Sequence, residues 1–511
     1  MFVAVDDTDS VKGNCTTFLA TEIINELSDF DLIGLPRLVR LNPAVPWKTR
    51  GNGSLVMRFG HGIGAKKKIG EIEGRDLFSY DECDDNEPDY NEIMKRLIPL
   101  VEKYHEDDAN PGLFISAIRP DESFYRRGVT TIMDRSEIDR ELKRINAVTF
   151  TIGNGRGLIG STCGLAWIPN DFTYELLAYR ERDRWGTPRT FDPISIRDME
   201  HNFPTTFNSW EDREEKVAMV PATPCPVLYG LRGDVIEDVI SAADTLKTEK
   251  RYRWVVFLTN QGTDDHIIRE YDELKPNQSY SVTGEVISNA KHIEGGHVFI
   301  DIHTEYGDIT CGAYEPSKEF RMAFDQLIPG DVIEVLGEYR ESPRTLNVEK
   351  LHVISTAKHI EKISNPVCPS CGKKMKSIGK NSGYRCKDCH IKVKDAVCEE
   401  KMRWIVPGWY EPPTCARRHL SKPLKRMGLC TPVEFVNCRM YKSTILYIHI
   451  PKTVPDYHGR DRNSQCEQNP YRKVRKDLGR NKSDRPRRSC RKRSGKKSRN
   501  RTHRCRRMHH G

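Results

Sequence analysis

The chain has no apolar run that could cross a bilayer: nowhere in its 511 residues do the roughly 18 consecutive apolar side chains of a membrane helix occur. It also lacks a basic-then-apolar leader, because Phe2-Val-Ala-Val5 enters an apolar strand at once; the expectation is a cytoplasmic protein with no membrane partner. No G-x-x-x-x-G-K-[S/T] follows that strand, which excludes a Walker loop. A secreted disulfide framework is excluded too, since the 16 cysteines are scattered through a long chain apart from one paired cluster. Positive charge is short in the body. The formal net charge of +9 comes from residues 429–511, where 24 Lys and Arg face 6 Asp and Glu, and the preceding 428 residues sum to −9. A nucleic-acid argument for the body must therefore rest on local patches.

What the chain does have begins at its first residues, MFVAVDDTDSVKGNCTTFLA. Four apolar residues without alternation suit a strand buried on both faces. Asp6, Asp7 and Asp9 then fall at its end, where carboxylates need a hard cation such as Mg²⁺, an Arg or Lys, or a helix N-terminus. Gly13 permits a tight turn. Phe18, Ile23, Ile24 and Leu27 recur at helical spacing, so Thr16 and Thr17 fall near a helix start whose free N–H groups can hold phosphate. Two readings stay open on these residues: a turn-and-cap cluster, or a metal–nucleotide site at a strand-to-helix junction.

The length suggests three or four domains, and the overall class is multidomain α/β and α+β. Residues 1–155 alternate strand and helix. Residues 156–275 form a second α/β or α+β unit, with TYELLAYR and VIEDVISAADTLK reading as helices and PVLYGLRGD and RWVVFLTN as strands. Residues 279–356 carry five or six short alternating strands with one helix at SKEFRMAFDQL, the pattern of an OB-fold β-barrel, which commonly binds oligonucleotides. In 360–395, Cys368-x-x-Cys371 and Cys386-x-x-Cys389 have the spacing of a four-thiolate zinc ribbon, a closed and therefore structural Zn²⁺ site. Residues 396–428 contain a basic patch of Arg417, Arg418, His419, Lys422, Lys425 and Arg426, fit to grip phosphate or to cap the ribbon. Residues 429–511 are poor in apolar residues and read as a disordered basic tail.

The segments VDDTDS, GNCTTFLA, PRLVRLNPAVPWKTRGNG, GRGLIG, PCPVLYGLRG, FLTNQGTD, the four-cysteine ribbon and ARRHLSKPL, in that order over residues 1–428, resemble the archaeal tRNA(Ile) 2-agmatinylcytidine synthetase family, the tRNA(Ile)-agmatidine synthases. The resemblance implies a kinase-like α/β domain, a ferredoxin-like domain, an OB fold and a zinc ribbon. It implies a ligase that uses ATP to join agmatine to the wobble cytidine, position 34, of the AUA-decoding tRNA(Ile), releasing AMP and pyrophosphate. It further implies activation of the cytosine 2-carbonyl by phosphorylation, displacement of that phosphate by the agmatine amine, and phosphorylation of a threonine, which by position is Thr16. On this reading Asp6, Asp7 and Asp9 hold Mg²⁺. Gly13, Thr17, Lys48, Arg50, Gly51 and Gly53 serve the ATP phosphates, and Arg417, Arg418, His419 and Lys422 meet tRNA. Asp107, Asp108, Asp264 and Asp265 are candidates for agmatine. Ala4 stands where the family often carries glycine. No obligate protein partner is evident. The competing readings are an ATP-dependent tRNA-modifying enzyme with another amine donor and a non-catalytic tRNA-binding protein; AMP release separates the latter from the enzymes.

Overall fold

The computed structural model of the chain describes residues 1–48, 51–84, 88–212 and 214–432; the basic run beyond 432, and Arg50, lie outside the described residues. The apolar start forms β1 (Phe2–Asp6). Val3 and Val5 enter one core and Ala4 another, so the strand is buried on both faces, as its unbroken apolar run requires. In chain order follow α1 (Thr16–Glu26), β2 (Asp31–Ile33), β3 (Arg37–Arg40), β4 (Gly53–Gly60), β5 (Gly62–Ile72), β6 (Arg75–Cys83), α2 (Tyr90–Tyr104), β7 (Gly112–Ser116), α3 (Glu122–Thr130), α4 (Arg135–Arg144), β8 (Val148–Thr151) and α5 (Gly157–Ala166). β1 lies between β4 and β7, antiparallel to both. Helix α2 starts where the Asp89 side chain accepts from the Asn91 amide, and it turns Ile93, Leu97 and Val101 inward. It shares the Val3/Val5 core with Phe18, Ile23 and Leu27. On the opposite face, Tyr125, Ile138, Leu142 and Leu158 of α3, α4 and α5 cover Ala4 and Phe114.

The next segment adds β9 (Thr173–Tyr179), α6 (Pro193–Asn202), β10 (Thr206–Phe207), a small hairpin of β11 (Trp210–Glu211) and β12 (Lys216–Val217), β13 (Val227–Gly233), α7 (Ile236–Thr245) and β14 (Arg253–Thr259). TYELLAYR, which reads as helical from its Leu and Tyr spacing, is strand β9 instead. Pairing with β13 and β14 and apolar burial on both faces override the helical pattern. β14 pairs antiparallel with β5 and parallel with β3. The strands of both segments thus run as one 12-stranded sheet, in the order β10-β13-β9-β14-β5-β6-β2-β4-β1-β7-β8, with β3 bridging β14 and β4.

A separate sheet contains β15 (Ile267–Ile268), β16 (Gln278–Val286), β17 (Lys291–Ile293), β18 (His297–Thr304), β19 (Gly307–Ala313), β20 (Val332–Arg340) and β21 (Thr345–Ser355), with α8 (Phe320–Asp325) before β20. β16 pairs with β20, β20 with β21, β21 with β19 in parallel, β19 with β18, and β18 back with β16. That ring is a closed five-stranded barrel around Tyr280, Val282, Ile300, Ile302, Val335 and Leu351. β22 (Ile360–Ser364) leaves it, and β23 (Lys376–Ser377), β24 (Tyr384–Arg385) and β25 (Lys392–Val393) form a small three-stranded sheet. β26 (Val397–Glu400) returns beside β22, and β27 (Gly408–Tyr410) joins the barrel edge at β21. No helix among the described residues is long and apolar enough to cross a membrane.

Candidate active site

Asp6 ends β1 beneath α5, and the fit is close: a Cβ at Gly160 would collide with the Asp6 carboxylate. Asp7 has a left-handed backbone (φ 56°), and its amide donates to Asp6 Oδ1 at 2.7 Å. Burial pushes the Asp6 carboxyl well above the usual carboxylate range, and the charges of Asp7 and Asp9 push it the same way. Arg156, just before α5, donates from Nε to Asp7 Oδ2 at 2.9 Å. A buried carboxylate crowded by two others suits a hard divalent cation bound through oxygen. The three aspartates open onto a cleft of about 740 Å³, mouth included, with Trp47, Lys48, Gly51, Gly53, Arg156 and the first residue of α5 among its walls. Burial, reinforced by Arg418, pushes the Lys48 ammonium pKa down.

A second cleft of about 1050 Å³ lies between α1 and the β9/β13 region. Cys15, Thr16 and Thr17 line it, as do Arg40, Glu175, Arg232 and His419. Asp9, Gly51 and Gly53 line both clefts, so the two adjoin at these residues. Thr16 is the first residue of α1; Cys15 holds the N-cap position without a side-chain cap bond. The Thr16 hydroxyl is therefore no cap, and accepts from the Thr8 hydroxyl at 3.0 Å. Thr17 Oγ1 lies 3.0 Å from Cys15 Sγ.

The structure thus brings Asp6, Asp7, Asp9, Lys48, Gly51 and Gly53 to the first cleft and Thr16 and Thr17 to the second. Gly13 is not among the residues lining either; it sits in the turn against Glu106. The basic patch expected to meet tRNA is engaged within the chain. Arg417 pairs with Glu411 at 2.7 Å, Arg418 with Glu338 at 2.7 Å and Lys422 with Asp171 at 2.7 Å. Arg426 pairs with Asp171 and Asp234. Residues 411–428 are a strap from the barrel across the α/β body, and His419 reaches the second cleft from it. There Arg40 foremost, with burial, keeps its imidazole well below the usual histidine range. The agmatine candidates lie elsewhere: Asp108 pairs with Lys12 at 3.5 Å, Asp264 with Lys350 at 2.6 Å, and Asp265 accepts from Tyr125. Arg156, Arg40 and Glu175 are site residues that sequence reasoning missed. The GRGLIG segment, which places Arg156 beside a glycine-rich helix start, is the signal that could have found the first of them.

In the ribbon, the sulfurs of Cys368, Cys371, Cys386 and Cys389 all lie within 4.8 Å of one another, and Cys371 and Cys386 are 3.6 Å apart. Tetrahedral zinc thiolates stand about 3.8 Å apart, so the four fit one structural Zn²⁺.

A carboxylate-lined α/β cleft joined to a small barrel and a metal ribbon defines a multidomain enzyme built to act on a large, nucleic-acid-like substrate. Family models agree: residues 2–154 match the TiaS TCKD domain, 155–266 the TiaS FLD domain and 365–405 the TiaS C-terminal zinc ribbon domain. The tRNA(Ile) 2-agmatinylcytidine synthetase TiaS of Archaeoglobus fulgidus is 38% identical over 447 residues, covering 84% of this chain and 98% of that protein. The one from Methanocaldococcus jannaschii is 36% identical over 444 residues, covering 84% and 99%. Among solved structures, a complex of TiaS with its isoleucine tRNA and ATP superposes with a TM-score of 0.72 at 35% identity, covering 83% of this chain and 97% of that one. A complex of TiaS with the same tRNA, AMPCPP and agmatine does so with a TM-score of 0.69 at 33% identity and the same coverage. The chain belongs to the TiaS family of tRNA(Ile) 2-agmatinylcytidine synthetases.

Proposed function

We propose that this protein is a ligase that uses ATP to join agmatine to C2 of the wobble cytidine, position 34, of the AUA-decoding tRNA(Ile), with AMP as the nucleotide product. The observation that carries this reading is the pair of clefts that adjoin at Asp9, Gly51 and Gly53, with three carboxylates in one and Thr16 in the other. A cytosine carbonyl is a poor electrophile because its oxygen leaves badly; phosphate on that oxygen turns it into a leaving group. The amine then forms the new C–N bond as the C–O bond breaks. The phosphoryl comes from ATP and the carbonyl oxygen departs on it as phosphate, so the two phosphorus atoms not left in AMP end as two phosphates with one water consumed, and the amine gives up its protons to solvent.

The first cleft is assigned to ATP. Asp6, Asp7 and Asp9 would hold Mg²⁺, which when bound neutralises phosphate charge. Lys48 and Arg156, the latter beside Asp7, neutralise phosphate oxygens, and Trp47, half exposed at the mouth, offers a face for the base. Thr17 lines the second cleft at the start of α1, where amides favour phosphate. The second cleft is assigned to the cytidine and the amine, with Thr16 as phosphoacceptor. In this scheme 1–155 is the kinase-like catalytic domain, 156–275 the ferredoxin-like domain and 279–356 an OB-type barrel for tRNA. Arg417, Arg418 and Lys422 are assigned a clasping role in the strap, and RNA contact falls to the barrel and the basic ribbon.

Asp9→Ala and Thr16→Val separate the parts. Both should lose AMP release by a factor of about a thousand or more, on the order of a removed transition-state contact plus its metal, while tRNA affinity in a filter-binding titration stays within a few-fold. Turnover surviving in Asp9→Ala contradicts the metal assignment.

A further inference from the structure

No carboxylate of the described residues forms an ion pair with Arg40; Glu175 and, more weakly, Asp9 attract it from farther off. The Arg40 backbone at the end of β3 is clamped to Asn260, whose Oδ1 accepts from the Arg40 amide at 2.7 Å and whose Nδ2 donates to the Arg40 carbonyl at 2.8 Å. The guanidinium is thereby held in the second cleft. Its Nε is buried without a hydrogen-bond partner, and Nη1 reaches the Gly51 carbonyl only at 3.5 Å. The carboxylate that attracts it most is Glu175, whose two oxygens are already engaged, one by Arg232 at 2.9 Å and the other by Gln261. Arg232 itself repels Arg40, and burial is the main reason its pKa falls.

The loop beside it is kept bare. A Cβ on Gly51 would lie 2.6 Å from Arg40 Nη1, and one on Gly53 would lie 3.0 Å from it. Holding a buried guanidinium with an unbonded Nε and no directly paired carboxylate is costly, and an arriving anion reduces that cost. The planar fork of arginine matches two oxygens of a phosphate.

We propose that Arg40 is a phosphate receptor in the second cleft, holding a phosphate monoester or free phosphate beside Thr16, with the nucleotide in the adjoining cleft. The inference rests on the phosphoryl-transfer reading above and adds where the group sits after it leaves ATP. A phosphoryl on Thr16 and a released inorganic phosphate share this chemistry.

The test uses the full chain and Arg40→Met, with Arg40→Gln as a second variant. Inorganic phosphate binding is read by ³¹P NMR line broadening, ATP affinity by calorimetry, and stability by melting in phosphate-free buffer. Phosphate binding should weaken roughly ten- to a hundred-fold in both variants, the loss of a charge-assisted pair, with ATP affinity changed less than about three-fold. Neither variant should melt below the parent, because an uncompensated buried charge has gone. Retention of ³²P after incubation with γ-labelled ATP identifies the source: label that survives denaturing precipitation rides covalently on Thr16, and label that is lost on denaturation, and lost faster from the variants in native washing, is free phosphate. Unchanged phosphate binding, or variants that bind phosphate normally and melt several degrees lower, overturn the proposal. A parent chain that binds no ATP contradicts the underlying reading instead.

Discussion

Asp6 shows how the site trades stability for binding. An unfolded aspartate ionises near 3.8, whereas folding raises the Asp6 value well above that, through burial first and then Asp7. The folded state therefore binds the proton more tightly, and stability falls as pH rises from the unfolded value through the folded one. At neutral pH the metal-free protein carries this cost. Asp6→Asn should raise the melting temperature in EDTA, by an amount equivalent to about 1–3 kcal/mol, and abolish AMP release; calorimetry and a turnover assay check both, and a lower melting temperature would mean that the carboxylate is a structural acceptor. At this scale much is legible in advance. Asp6, Asp7, Asp9 and Thr16 lie on one strand–turn–helix unit, so proximity in sequence is proximity in space. Arg156, Arg40 and Glu175 reach the clefts from other elements, and each looks like an ordinary charge in its own neighbourhood.

Among elements, the strap is where the sequence shows least of the surroundings that the fold supplies. ARRHLSKPLKR reads as a phosphate-gripping surface because charge density is local and visible. The carboxylates that neutralise it lie 80 residues away for Arg418 and 255 for Arg426. Strand β9 reads as a helix for a related reason: apolar spacing within eight residues does not reveal that both flanks and both faces will be covered. The strap's anchor has a pH signature. Burial pushes the Glu349 carboxyl up, but His266 and Arg418 outweigh it and bring it from 4.5 down to about 2. This stabilisation is complete above about 4.5 and is lost as pH falls toward 2. Glu349→Gln should lower stability at pH 7 by about 3 kcal/mol, since it strands buried partners, and flatten the decline of melting temperature across that acid window; an unchanged slope would move the acid-labile contact elsewhere. In the ribbon, Cys386→Ser should release zinc, measured by atomic absorption, and weaken tRNA binding while the melting of the α/β body stays put. Full zinc content in that variant contradicts the four-sulfur site.

At the scale of the molecule, the barrel, the ribbon and the alternating α/β start follow from local patterns: period-two strands, paired cysteines, an apolar strand meeting a helix. The 12-stranded sheet does not, because the β14–β5 and β14–β3 pairings join segments about 180 to 220 residues apart, a separation that periodicity cannot bridge. That sheet carries residues of both clefts, which adjoin at Asp9, Gly51 and Gly53. Coupling an ATP cleft to an adjoining base-and-amine cleft is the central claim, and nucleoside mass spectrometry tests it most directly. The purified chain is incubated with the AUA-decoding tRNA(Ile) transcript, ATP, Mg²⁺ and agmatine, and the digested nucleosides are weighed. The account predicts a position-34 cytidine that has gained agmatine less water, dependent on ATP and absent in Thr16→Val. An unmodified cytidine in the complete mixture, with or without AMP release, would contradict it.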